Sequence, residues 1–176
     1  MHVRGAHLIF ALLRIYAGIF WLAHGIPKFT NSAMFMPPNG FMQILVSKAT
    51  QQSTTGWYHD FLVSVVTPNI NLFAELIRVG EVLVGCSLIF GLLTKLGGLG
   101  GAFLAFNYLM AKGGFSSFES LGTLDTAAIV LSLMNVVLPT GRTLGVDSLF
   151  VRRRIVREPT VVPEFVDEPP PTVTTS

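Results

Sequence analysis

The chain has 176 residues, of which 51% are hydrophobic and only 12% charged, with a formal net charge of +2 at pH 7. A soluble domain carries roughly a quarter charged residues, so half the usual charge is missing, and the mean hydropathy reaches +0.59. The apolar residues fall into blocks, which excludes an ordinary water-soluble globule and points to contact with lipid.

The first apolar block covers residues 6–27. A helix of about 20 residues crosses the ~30 Å hydrocarbon layer. The length of the block, the internal Arg14 and the lack of a small-x-small site after Leu22 argue against a cleaved signal peptide. Residues 31–68 form a long connection. Pro37, Pro38, Asn39 and Gly40 predict a turn, 41–48 a short amphipathic helix and 51–56 a polar stretch. Trp57, Tyr58, Phe61 and Leu62 then open a second short apolar-faced helix that stops before Pro68. Trp and Tyr favour the headgroup zone, so this connection is expected on the membrane surface or as a cap over the helices.

The second span is predicted over 72–93 and the third over 96–111, with only Thr94 and Lys95 between them in a tight antiparallel hairpin. Lys95 and Lys112 can snorkel from the ends of the short third span. The fourth covers 121–138 and ends at Pro139 and Gly141. The expected fold is all-α: an integral membrane four-helix bundle over residues 1–150, with an outer amphipathic-helix loop. Residues 151–176 are an irregular tail, first basic and then Pro- and acid-rich.

Charge sets the orientation. Four spans put both termini on one side, which collects Arg4, Lys95, Arg142, Arg152, Arg153, Arg154 and Arg157 against Lys28, Lys48 and Lys112 on the other. This asymmetry predicts a multi-pass protein of the cell membrane with both termini cytoplasmic. The arginine cluster after the last block reads as a juxtamembrane anchor rather than a nucleic-acid site. Cys86 is the one cysteine, in an apolar block, and reads as a small buried filler. Neither a CxxC nor a metal-ligand spacing among His7, His24 and His59 is present. No two histidines occupy facing mid-membrane positions, so a haem is not expected.

Four charged residues, Arg14, Glu75, Arg78 and Glu81, fall inside predicted spans, where each central charge costs about 2.5–3.5 kcal/mol on insertion scales. They must be paired, hydrated or turned inward. Arg14 lies about 13 Å along its helix from the end near Gly5, and Glu81 about 20 Å from Lys95. A long arginine side chain is therefore expected to reach Glu81, while Arg78 stands three residues from both Glu75 and Glu81. This polar cluster has two compatible readings: an ion-pair clamp between the first two helices, which burial alone requires, or part of a proton path and the polar end of a quinone pocket.

His24 and Lys28 share a face at the outer end of the first span, and Tyr108, Asn107 and Asp125 are expected near that end. A histidine with a carboxylate and a phenol nearby can protonate a quinone oxygen as it is reduced. Against this, a lone interfacial histidine is more often simply hydrated. Gly18, Gly25, Gly80, Gly85, Gly97 and Gly101 read as points of close helix approach; the run at 97–101 follows no strand and is not a nucleotide loop.

Some of these residues also carry a family likeness. Leu13-Arg14 through Gly18 to Ala23-His24-Gly25 and Lys28 is similar to the first-helix pattern of DoxX proteins. Glu81 to Gly85, followed by Phe90 to Lys95, resembles their second-helix signature, and Gly141-Arg142 to Gly145 and Asp147 their closing segment. Trp57 with Phe61-Leu62, Pro68-Asn69 and Asn107-Tyr108 resemble the branch containing the DoxD subunit of thiosulfate:quinone oxidoreductase. The likeness covers about residues 8–150. It implies a four-helix membrane subunit of a quinone-dependent oxidoreductase, linking one or more partner subunits to the quinone pool with no covalently bound cofactor. Arg14, His24, Lys28 and Glu81 carry over as motif positions without an assigned catalytic role. No DoxA-like soluble domain is fused here, so thiosulfate chemistry would need a separate partner. The alternative is a non-catalytic accessory or scaffold subunit of a larger respiratory membrane complex.

Overall fold

The computed structural model describes residues 2–51, 56–115, 118–138, 140 and 145–147, and among these every regular element is helical. Helix α1 spans His2–Thr30, α2 Ser32–Phe35, α3 Phe41–Gln51, α4 Gly56–Phe61, α5 Ile70–Phe90, α6 Thr94–Ala111 and α7 Leu124–Val137. A π-helical turn over Leu62–Val66 follows α4, and a 3-10 turn over Phe118–Gly122 precedes α7. By length and composition, one helix of the described residues, over Leu8–Thr30, is long and apolar enough to cross a membrane; α7 is apolar but shorter. The side chain of Arg4, the arginines at 142, 152, 153, 154 and 157, and the tail over 151–176 lie outside the described residues.

The four long helices pack in a ring, α1 on α5, α5 on α6, α6 on α7 and α7 back on α1. Small residues set the register between α1 and α5. A Cβ on Gly18 would stand 2.6 Å from Ile89 Cγ1 and 2.9 Å from the Gly85 carbonyl, and one on Gly85 would stand 2.7 Å from Leu22. Gly25 in turn lies against Glu81 and Val82, so α1 and α5 run antiparallel. The core between the helices holds Ala17, Trp21, Val84, Leu88, Ala105 and Ala128.

A second core forms where α2, α3, α4 and the π turn cover one end of the ring. Phe35, Met42, Val46, Tyr58, Leu62 and Val66 close over Ala74 of α5 and Met110 and Ala111 of α6. Tyr58 donates from its hydroxyl to the Asn107 carbonyl at 3.0 Å, tying α4 to α6. Burial pushes its phenol up to about 12, so it remains a donor across the physiological range.

Helix boundaries depart from the sequence reading at the turns. Helix α1 continues through Pro27 for another turn. Helix α7 begins at Leu124 rather than 121 because the Thr123 hydroxyl accepts from Thr126 N at 3.3 Å and caps it. The hairpin between α5 and α6 is not Thr94 and Lys95, which belong to α6. It is 91–93, with Gly91 at φ +63 and Leu93 at φ +53. Left-handed Gly91 ends α5, its N–H donating to the Ser87 carbonyl, while the start of α6 is capped from far along the chain. Asp147 accepts through Oδ1 from Leu93 N at 2.9 Å and through Oδ2 from Thr94 N at 3.0 Å and Thr94 Oγ1 at 2.8 Å. Val146 N and Asp147 N donate to the Phe90 and Gly91 carbonyls at 3.1 and 2.9 Å. One short segment thus satisfies the last carbonyls of α5 and the first amides of α6.

Gly91 is constrained twice, by its left-handed backbone and by the Arg14 guanidinium, which a Cβ would overlap. Gly91→Ala is expected to destabilise by more than the roughly 1–2 kcal/mol of the left-handed conformation alone. At Gly80, where a Cβ would meet only Leu104 from 3.4 Å, alanine is expected to be neutral or stabilising by up to about 1 kcal/mol. Thermal unfolding of the two purified variants checks this, and equal midpoints would remove the argument.

Candidate functional site

Glu81 is 1% exposed, in the middle of α5. A carboxylate so deeply buried stays charged only beside a cation and hydrogen-bond donors. Lys28, near the end of α1, donates from Nζ to both Glu81 carboxylate oxygens. The same ammonium donates to Tyr108 Oη on α6 at 2.8 Å, and that hydroxyl donates onward to Glu81 Oε1 at 3.0 Å. Three helices therefore meet at one closed network. The Lys28 ammonium also sits 4.8 Å from the centre of the Phe35 ring and 5.2 Å from that of Tyr108, a cationic environment built from aromatic faces.

A cavity of about 160 Å³ opens onto this network. Its apolar walls are Phe20, Trp21, Phe41, Ala105, Leu124 and Ala128, and its polar groups are His24, Lys28, Glu81, Tyr108 and Asp125. His24 donates from Nδ1 to the Phe20 carbonyl one turn back at 2.8 Å, which leaves the lone pair on Nε2. The imidazole lies over the Phe20 ring with centroids 4.4 Å apart. Asp125, in the first turn of α7, accepts from Lys112 Nζ at 2.7 Å. Trp21 donates from its indole to Ser132 Oγ at 3.1 Å and forms the floor. The volume is below the roughly 300–1,000 Å³ that encloses a whole drug-sized ligand, so the cavity suits a ring-sized head group with any tail left outside. Among the described residues, no three His, Cys, Asp or Glu side chains gather closely enough to share a metal ion.

His24, Lys28, Tyr108 and Asp125, expected near one end, line this one cavity together. Asn107 does not join them; it faces Tyr58 and donates from Nδ2 to the Phe103 carbonyl at 2.8 Å. The expected meeting of Arg14 with Glu81 is overturned. Arg14, 0% exposed, lies beside Gly91 and donates from Nη1 to the Thr140 carbonyl at 3.1 Å. Gly91 is ten residues from Glu81, about 15 Å along α5, and the Gly18–Gly85 contact fixes that offset. Arg78 pairs with Glu75 rather than Glu81, with Nε to Oε2 at 2.7 Å, and its guanidinium covers Phe29 at 4.6 Å. The polar cluster thus separates into three sites. Lys112, read as a snorkelling end residue, is the partner of Asp125; helix ends are visible in sequence, but which neighbouring helix end packs beside them is not.

The family whose description is "TQO small subunit DoxD" matches residues 9–162 of the chain. The chain belongs to the DoxD family. No curated protein and no solved structure matches it. DoxD proteins are membrane-associated small subunits of a multi-subunit complex, and in this DoxD chain the apolar helix Leu8–Thr30 supplies Lys28 and His24 to the cavity.

Removing one partner of a buried pair leaves a stranded charge, at a cost of about 3–5 kcal/mol. Lys28→Met is expected to lose stability on that scale, and the double variant K28M/E81L to recover most of the loss. Unfolding midpoints of the single and double variants decide the point; equal losses in both would show that charge pairing is not what holds α1 to α5.

Proposed function

We propose that this DoxD chain is the integral-membrane subunit of a thiosulfate:quinone oxidoreductase-like complex, and that the cavity at Lys28, Glu81 and Tyr108 receives the head group of a quinone. The observation that carries the reading is the buried lysine–glutamate–tyrosine network opening into an aromatic-walled cavity. A quinone ring presents two carbonyl oxygens and two apolar faces. Lys28 and Tyr108, whose donors are held by one another and by Glu81, would turn one of them to a quinone oxygen, while Phe20, Trp21 and Phe41 offer surfaces for the faces.

The distribution of polarity supports four membrane spans. The outward residues of the ring are large and apolar: Leu12 and Ile19 on α1, Leu76 and Leu83 on α5, Leu99 and Phe103 on α6, Val130 and Val137 on α7. Arg14, Glu81, Ser132 and Asn135 are turned inward. In water such an exterior is an aggregation surface; in lipid it is the required one. The charges that disqualify α5 by composition are each paired, Glu75 with Arg78 and Glu81 with Lys28. In this arrangement the cap of α2–α4 faces the outer side, and both termini the cytoplasm, by the distribution of basic residues.

In a Trp57→Phe background, the remaining indole, Trp21, reports on the cavity floor. Titration with a short-tailed benzoquinone is expected to quench its fluorescence, and Tyr108→Phe to weaken binding about tenfold, the equivalent of one good hydrogen bond. An unquenched W57F chain, together with normal quinone reduction in a deletion strain, would leave this protein an accessory subunit and end the proposal.

A further inference from the structure

Reducing a quinone to a quinol requires two protons as well as two electrons, and those protons must reach a buried site. Two directions lead from the cavity, and they differ in polarity. Towards the cap, Asp125 in the wall is bonded to Lys112, whose side chain is 49% exposed against 13% for Asp125. Lys112 Nζ lies 5.8 Å from the Tyr108 ring centre, so this pair stands directly over the phenol of the network. Towards Arg14, the way is filled by Ala17, Val84, Leu88, Ala105 and Ala128. The polar groups there are Ser132, already engaged by Trp21, and Asn135, whose Oδ1 has no hydrogen-bond partner among the described residues.

We propose that Asp125 is the proton-delivering carboxyl of the cavity, loaded from water on the cap side of the protein where Lys112 meets solvent. The inference rests on the quinone reading above. The titratable groups around Asp125 are Lys112, just past the end of α6, and, lining the same cavity, Tyr108 on α6, His24 and Lys28 on α1 and Glu81 on α5. Lys112 holds the carboxylate between turnovers. When that contact opens, Asp125 takes a proton from water; its O–H bond then breaks as a new one forms on the quinone oxygen. The cycle runs twice for each quinol. The electrons come from the thiosulfate-oxidising partner, where two thiosulfates join through a new S–S bond as tetrathionate and release two electrons. Two thiosulfates, one quinone and two protons thus give one tetrathionate and one quinol. A first-turn carboxylate is also a favourable partner for the α7 N-terminus, so a purely structural Asp125 is the competing account.

The test uses the complex isolated with the full chain, with thiosulfate as reductant and a decyl-chain benzoquinone as acceptor. Asp125→Asn should still bind this quinone but reduce it about a hundredfold more slowly, within the usual range for a lost general acid. Asp125→Glu should restore most of the rate. The redox-difference infrared spectrum should show a carboxyl band that D125N lacks. In sealed vesicles the wild-type rate should follow pH on the cap side. A wild-type rate in D125N, no missing band, or a rate that follows pH on the Arg14 side would each overturn the proposal. Absence of quinone binding by wild type itself would instead overturn the functional reading on which it stands.

Discussion

A carboxylate enclosed by four helices can hold its charge only if a cation is brought to it, and much of this molecule is arranged around bringing Lys28 to Glu81. The glycines at 18, 25 and 85 set α1 against α5 so that the last turns of α1 overlie the middle of α5. Tyr108 then fixes α6 to the pair, since its hydroxyl accepts from the lysine and donates to the glutamate. Phe35, carried on the short α2, covers the ammonium and belongs to the core of the cap. Ring and cap are therefore joined by the same ion pair that supplies the polar end of the cavity, and a site built on such a closed network is held in place before any ligand arrives.

The two cores do different physical work. The cap encloses Phe35, Met42, Tyr58 and Leu62, large side chains whose burial removes apolar area from water. Between the long helices the contacts are small: Ala17, Ala105, Ala128 and the glycines. In the four-span arrangement proposed above, apolar burial gives little preference for protein over acyl chain, and close van der Waals contact together with a few interior hydrogen bonds would hold the helices. The Trp21–Ser132 bond and the capping of α6 by Asp147 are bonds of that kind.

The long apolar blocks made the four main helices legible in the sequence to within a few residues, and the turn residues at 37–40 and the aromatic run at 57–62 marked the cap. That His24, Lys28, Tyr108 and Asp125 lie near one another was legible because His24 and Lys28 share a helical face and Tyr108 and Asp125 lie at the matching ends of their helices; that Glu81 and the aromatic walls join them, and Asn107 does not, was not. The partner of Glu81 was not legible. Counting residues from each helix end gave Arg14 and Glu81 similar depths, but depth in an assembled ring is set by side-chain register, and the Gly18–Gly85 contact moves Arg14 about 15 Å away. The hairpin was misplaced for a related reason: the group that decides where α6 begins is 53 residues away in sequence, and nothing local announces it.

Asp147 also bears on the order in which the molecule is assembled. Helices α5 and α6 are neighbours in sequence and are synthesised together, yet the amides at the start of α6 and the carbonyls at the end of α5 receive their partners only when residues 146 and 147 arrive. During synthesis, Ser87 can hold the Leu92 amide and carbonyl locally, but the Leu93 and Thr94 amides and the Phe90 and Gly91 carbonyls must wait until α7 has been made and the chain has returned. The hairpin in the middle of the protein is thus among the last parts to be completed.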